Sequence, residues 1–199
     1  MDFWSDMVRQ SNIAIFIVAS EVGFWVMLAA GLAARYVVRW KRTSMVLLAA
    51  VPLLDVVLLG AVIFDLLHGA DAGTIHGVAA FYLGVSLAFG PALVRWGDVR
   101  FAHRFAGGPP PRKLPRHGPE KLRAMWSEWL KVVLAAAISC AVLLFLILVI
   151  ATPQQAGELW KWIPRAGLVT GIWLVAGPMY ELFAGMGQRH DEAADSRSM

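Results

Sequence analysis

The chain has 199 residues, 58% of them hydrophobic, and a mean hydropathy of +0.61. A soluble domain carries about 45–50% apolar residues, so the composition excludes an ordinary soluble fold and predicts a single membrane domain. The formal charge of +4 does not point to nucleic acid, because the basic residues sit between apolar runs, and the one cysteine, Cys140, excludes an internal disulfide framework or a Cys-pair metal site.

In chain order, residues 1–11 read as a short external tail carrying Asp2, Asp6 and Arg9. This start lacks the basic n-region of a secretory signal, and the apolar run that follows contains Glu21. The run from Asn12 to Val38 therefore predicts a retained transmembrane helix, stopped by Arg35, Arg39, Lys41 and Arg42, with Tyr36 and Trp40 as interfacial aromatics. Ser44 to Leu67 predicts the second helix, since ~20 apolar residues span the hydrocarbon core. Pro52 and Gly60 fall inside it, which membrane helices tolerate. A tight link, His68 to Gly73, leads to a third helix at Thr74 to Val94. There Gly77, Ala80 and Gly84 recur at spacings of three and four, giving one face on which another helix can approach closely.

Residues 12–94 thus hold helices one to three. Residues 95–129 read as a basic cytoplasmic loop, broken by the GGPPP run at Gly107 to Pro111. From Pro119, Leu122, Met125, Trp126, Trp129 and Leu130 recur at helical spacing between charged residues, which predicts an interfacial amphipathic helix. The alternative is that helix four simply begins early. Residues 130–186 hold helices four (Leu130 to Ala151, ended by Pro153) and five (Ile163 to Phe183), and 187–199 form a polar cytoplasmic tail. The predicted fold is an all-α membrane protein, a bundle of five transmembrane helices plus a juxtamembrane amphipathic helix. Five spans divide the lysines and arginines fifteen against three. Basic residues stay cytoplasmic, so the N-terminus is expected outside and the C-terminus inside.

Ionisable groups within such spans are expensive and mark candidate sites. Glu21 and Asp55 both fall near mid-depth, with Tyr82 at a similar level and Glu181 toward the inner end of helix five. Two carboxyls in low dielectric cannot both ionise cheaply, so at least one is expected to hold a proton, as a proton or cation relay requires. The structural alternative is a carboxyl hydrogen-bonded across helices. A second group, Asp65-x2-His68-x2-Asp71-x4-His76, falls at the outer mouth of helices two and three. Asp65, His68 and His76 could ligate Zn²⁺ or another divalent transition metal, could form a structural Asp–His hydrogen bond, or could act as a general acid/base pair. The spacing matches no zinc motif. Arg100, Arg104, Arg112, Lys113, Arg116, Lys121 and Arg123, beside Trp126 and Trp129, are placed to lie against anionic lipid headgroups. The same residues also read as the positive-inside signal alone. Nucleic-acid binding is not expected, since no aromatic-lined domain would carry it.

No P-loop, Gly-x-Ser-x-Gly elbow, His-Glu-x-x-His motif or dinucleotide fingerprint occurs, which removes nucleotide-driven pumps and the common hydrolases. SEVGFWVMLAAGLAARYVVR at Ser20 to Arg39 and PLLDVVLLG at Pro52 to Gly60 resemble the YmcC-like family of uncharacterised bacterial integral membrane proteins. So do the stretch from Asp65 to His76 and AAFYLGVSLAFG at Ala79 to Gly90. The resemblance covers about Ser20 to Phe105. It implies a bacterial inner-membrane location and supplies no substrate. The leading functional reading is a small proton- or cation-coupled transporter, which at this size would favour a homo-oligomer. The alternatives are a membrane-embedded metal- or lipid-handling enzyme built on the outer Asp/His cluster, and a non-catalytic subunit that meets a membrane partner protein through the Gly/Ala face of helix three.

Overall fold

The structure, a computed structural model, describes residues 2–111, 115 and 118–182, and among these only helices are found. They are α1 (Asp2–Tyr36), α2 (Lys41–Leu67), α3 (Thr74–Ala106), α4 (Pro119–Phe145), α5 (Pro153–Trp160) and α6 (Trp162–Leu174). α4 and α6 each run on into a wide π-helical turn, Leu146–Ile150 and Val175–Met179. In α6 that turn contains Pro178, which has no N–H to give to the helix ladder, and a wide turn absorbs the missing bond.

Among the described residues, three helical segments are long and apolar enough to cross a membrane: Arg42–Leu67, Thr74–Ala106 and Pro119–Ile150. This is fewer than the five expected from sequence. α6 has only 13 residues before its wide turn, short of the ~20 that a straight span needs. α1 includes positions 2–14, whose side chains lie outside the described set. The α1 backbone is already helical from Asp2, within the stretch expected as an external tail.

Two further boundaries differ from expectation. α3 does not stop at Val94 but continues to Ala106, so the polar connection shrinks to the stretch from Gly107 to Gly118. The extension is held by α1: Asp98 receives the Tyr36 hydroxyl at 2.9 Å and pairs with Arg35 at 3.3 Å. Gly107, in the left-handed region at φ 65°, ends the helix. Likewise the amphipathic stretch from Pro119 is not a separate helix. Past Pro119, no proline and no glycine interrupts the sequence before Ala151, and α4 runs unbroken. At 1.5 Å per residue its 32 residues to Ile150 reach about 48 Å, well beyond a ~30 Å hydrocarbon core.

α3 is the central element, packed by α1 and α2 and by α4, with α6 resting on α4. The small-residue face works as expected. A Cβ on Gly84 would lie 2.4 Å from the Ala135 carbonyl of α4, and one on Gly77 would lie 2.1 Å from the Trp162 ring. Two apolar clusters form. One gathers Leu58, Val62, Leu66, Ala79, Leu143 and Leu159. The other centres on Phe24, Leu28 and Leu32, with Leu93 and Val94 against it. Large apolar side chains such as Val56, Val57, Leu134, Leu148, Leu168 and Ile172 face outward, the arrangement expected where lipid replaces water around the bundle.

Candidate functional site

Between the two apolar clusters lies a polar level. Asp55 on α2 is buried, and the Ser86 hydroxyl of α3 donates to its Oδ2 at 2.8 Å. One helical turn before Ser86, Tyr82 lines a cleft together with the Glu21 carboxyl of α1. Trp25 Nε1–H donates to Glu21 Oε1, at 2.8 Å. Residues four apart share one helix face, so α3 presents Tyr82 and Ser86 side by side, Ser86 bonded to Asp55 and Tyr82 beside Glu21. Glu21 and Asp55, 34 positions apart in sequence, are thereby brought to adjacent turns of the same helix. A cleft of about 130 Å³ is lined by Glu21, Trp25, Tyr82 and Ser86, and a second of about 320 Å³ by Asp55, Ser86 and Pro91. Ser86 and Gly90 border both. Glu21 itself remains on the exposed edge of the bundle.

Sequence reasoning missed Ser86 and Trp25 as site residues. Ser86 was hidden among the small residues of α3. Its spacing of four from Tyr82 is the signal that could have exposed it.

The outer cluster is built differently. His76, buried at the start of α3, lies with Nε2 3.1 Å from Asp65 Oδ2, and its Nδ1 receives the Gly73 N–H at 3.2 Å. A backbone N–H can only donate, so Nδ1 is the acceptor and Nε2 carries the proton given to Asp65. Both ring nitrogens are thus committed, and neither offers a lone pair to a metal. His68 turns elsewhere: its Nδ1 meets the Phe64 carbonyl at 2.7 Å and its ring lies 3.9 Å from that of Phe64. Asp71 is exposed. The expected donor trio of Asp65, His68 and His76 is therefore not assembled, and among the described residues no three His, Cys, Asp or Glu side chains could share a metal ion.

Over this cluster sits α5, an element the sequence reading took for a connection. Thr152 and Gln155 form a reciprocal capping box at its start. The buried Gln155 amide also donates to the carbonyls of Leu66 (3.1 Å) and Ala70 (2.6 Å), satisfying the C-terminal end of α2.

Glu181 is buried and pairs with Lys121 at 2.7 Å, so Lys121 ties the start of α4 to the helical turn that follows Val175–Met179. Of the other basic candidates, Arg100 stacks on Trp96, and Arg104 and Arg123 are exposed. Trp126 and Trp129 meet edge to face, and Trp129 Nε1–H donates to the Thr170 carbonyl at 3.2 Å. Arg112, Lys113 and Arg116 lie outside the described residues.

An all-helical architecture with three membrane-length helices, an apolar exterior and a polar level between apolar clusters defines a membrane protein. The comparison with known sequences agrees. The chain is 36% identical over 133 residues to the uncharacterised membrane protein YmcC of Bacillus subtilis (strain 168), covering 67% of this chain and 71% of that protein. This chain belongs to the YmcC-like family. No family model matches it, and no solved structure does.

Proposed function

We propose that the chain is a multi-pass protein of the bacterial inner membrane, with five spans, its N-terminus outside and its C-terminus inside, that carries protons or cations across the bilayer. α1 supplies the first span in this reading and the continuous helical stretch 162–182, α6 with its wide turn and the residues after it, the fifth, and the fifteen-to-three division of basic residues sets the orientation. The observation that supports transport is the polar level itself. Ser86 is hydrogen-bonded to Asp55, and one turn earlier on α3 Tyr82 lines the same cleft as Glu21. Hydroxyls both donate and accept, so Tyr82 and Ser86 can each pass a proton between a carboxyl and bridging water. The cleft of about 130 Å³ that both line has room for such water, at ~30 Å³ per molecule. The exposed edge at Glu21 favours a homo-oligomer in which a second copy covers that carboxyl.

The reading is tested by proton flux in proteoliposomes under an imposed pH gradient. Asp55→Asn is expected to reduce flux to the level of protein-free vesicles, and Glu21→Gln at least tenfold, while both variants stay folded and monodisperse. Wild-type flux in folded Asp55→Asn would refute the relay.

A further inference from the structure

The cleft of about 320 Å³ at Asp55 has a character that proton relay alone does not need. Its walls are Leu48, Leu87, Pro91 and Val94, and the polar side chains among its lining are Asp55 and Ser86. Asp55 is 5% exposed, so its carboxyl sits at the floor of an otherwise apolar space. Pro91 lies inside α3 and has no N–H to give to the Leu87 carbonyl one turn earlier. That carbonyl loses its regular helix donor at a residue that lines the cleft. The cleft thus holds one buried carboxyl and one hydroxyl, with a helix proline beside them and no cationic side chain in its lining.

We propose that this cleft binds an organic cation with an apolar body, an ammonium whose charge faces Asp55 and whose hydrocarbon lies against Leu48, Leu87, Pro91 and Val94. An inorganic cation is a poorer match. Ca²⁺ takes six to eight oxygen ligands and Mg²⁺ a near-ideal octahedron, whereas the side chains of this cleft offer one carboxylate and one hydroxyl already donated to it. The volume lies at the lower end of the ~300–1,000 Å³ typical of small-molecule sites, which are mostly apolar with a few placed polar groups. Cation and proton compete for the same carboxylate. Binding is therefore an exchange: the carboxyl O–H bond breaks, the proton leaves to water, and the carboxylate that remains balances the cation's charge. The proposal names the cargo of the transport reading and rests on it for direction of movement, but binding itself can be measured without transport.

The test is titration of the purified full chain in mild detergent with benzyltrimethylammonium, a permanent cation that carries no titratable proton. Its uncharged carbon isostere, neopentylbenzene, serves as control. A pH indicator in weak buffer reads proton release. Wild-type protein is expected to bind the cation, to release up to one proton per cation, and to bind the isostere at least tenfold more weakly. Asp55→Asn is expected to lose cation binding. Pro91→Ala, which restores an N–H to the Leu87 carbonyl, is expected to weaken binding severalfold while the fold persists. Glu21→Gln is expected to bind as the wild type does, although it loses proton flux. Equal affinity for cation and isostere, or unchanged cation binding in Asp55→Asn, would overturn the proposal. Proton flux that depends on Asp55 without cation binding would sink this inference and leave the relay standing. Cation binding without proton flux in wild-type vesicles would do the reverse.

Discussion

The two polar regions of this bundle use similar residues to opposite ends. At the outer cap, Asp65, His76, Gln155, Thr152 and the Gly73 N–H satisfy one another and the end of α2. At the polar level, Asp55 meets the Ser86 hydroxyl of α3, and Asp55 and Glu21 each border an open cleft. A buried polar group whose every valence is committed holds a fold together. One that faces a cleft retains capacity to bind or exchange a proton. The cap thus reads as structure and the polar level as chemistry, though the histidines and the closely spaced acids of the cap were the more conspicuous in sequence.

Substitutions can break or sharpen this contrast. The largest loss of stability is expected from His76→Ala. It opens a cavity and strands both the Asp65 carboxylate and the Gly73 N–H, at a cost of about 3–5 kcal/mol. Thermal unfolding in micelles reads the cost, and proton flux measured well below the transition should stay at the wild-type level. A flux loss without a lower transition temperature would make the cap a functional site and reverse the contrast. Gln155→Ala comes next, at about 1–3 kcal/mol for removing the side-chain donor of the Ala70 carbonyl and the second donor of the Leu66 carbonyl. Faster hydrogen exchange at the end of α2 and the start of α3 should accompany it, with the polar level unaffected. Gly84→Ala should cost a similar 1–3 kcal/mol, roughly, by forcing α3 away from the Ala135 carbonyl, and a free-energy change near zero would mean that α4 does not approach so closely. The smallest stability effect belongs to Ser86→Ala. An interhelical hydrogen bond in a membrane protein averages about 0.6 kcal/mol, yet this variant should lower proton flux severalfold. If Ser86→Ala destabilises the fold as much as Gln155→Ala does, the polar level is structural too.

Helix identity was legible where apolar runs are long, because a segment with no water around it must satisfy its backbone internally. The ends were less legible. Arg95 to Ala106 looks like the start of a loop by charge, but Asp98 finds Arg35 and Tyr36 on α1, and the helix continues. Pro153 marks a stop correctly, yet it also opens α5, since proline suits the first turn of a helix. The metal reading of Asp65, His68 and His76 failed because proximity in sequence says nothing about which ring nitrogen is already in use.

The amino-acid sequence alone determined that this is an α-helical membrane protein, which residues carry costly charge within its apolar runs, and that the Gly77–Ala80–Gly84 face would be a packing face. Those follow from hydropathy, spacing and side-chain size, which are local properties. Tertiary structure decided the rest. Helix rotation brings Glu21 and Asp55 to neighbouring turns of α3, commits both nitrogens of His76, and sets Pro91 beside Asp55. Rotation is fixed by how three helices pack together, and no single helix encodes it.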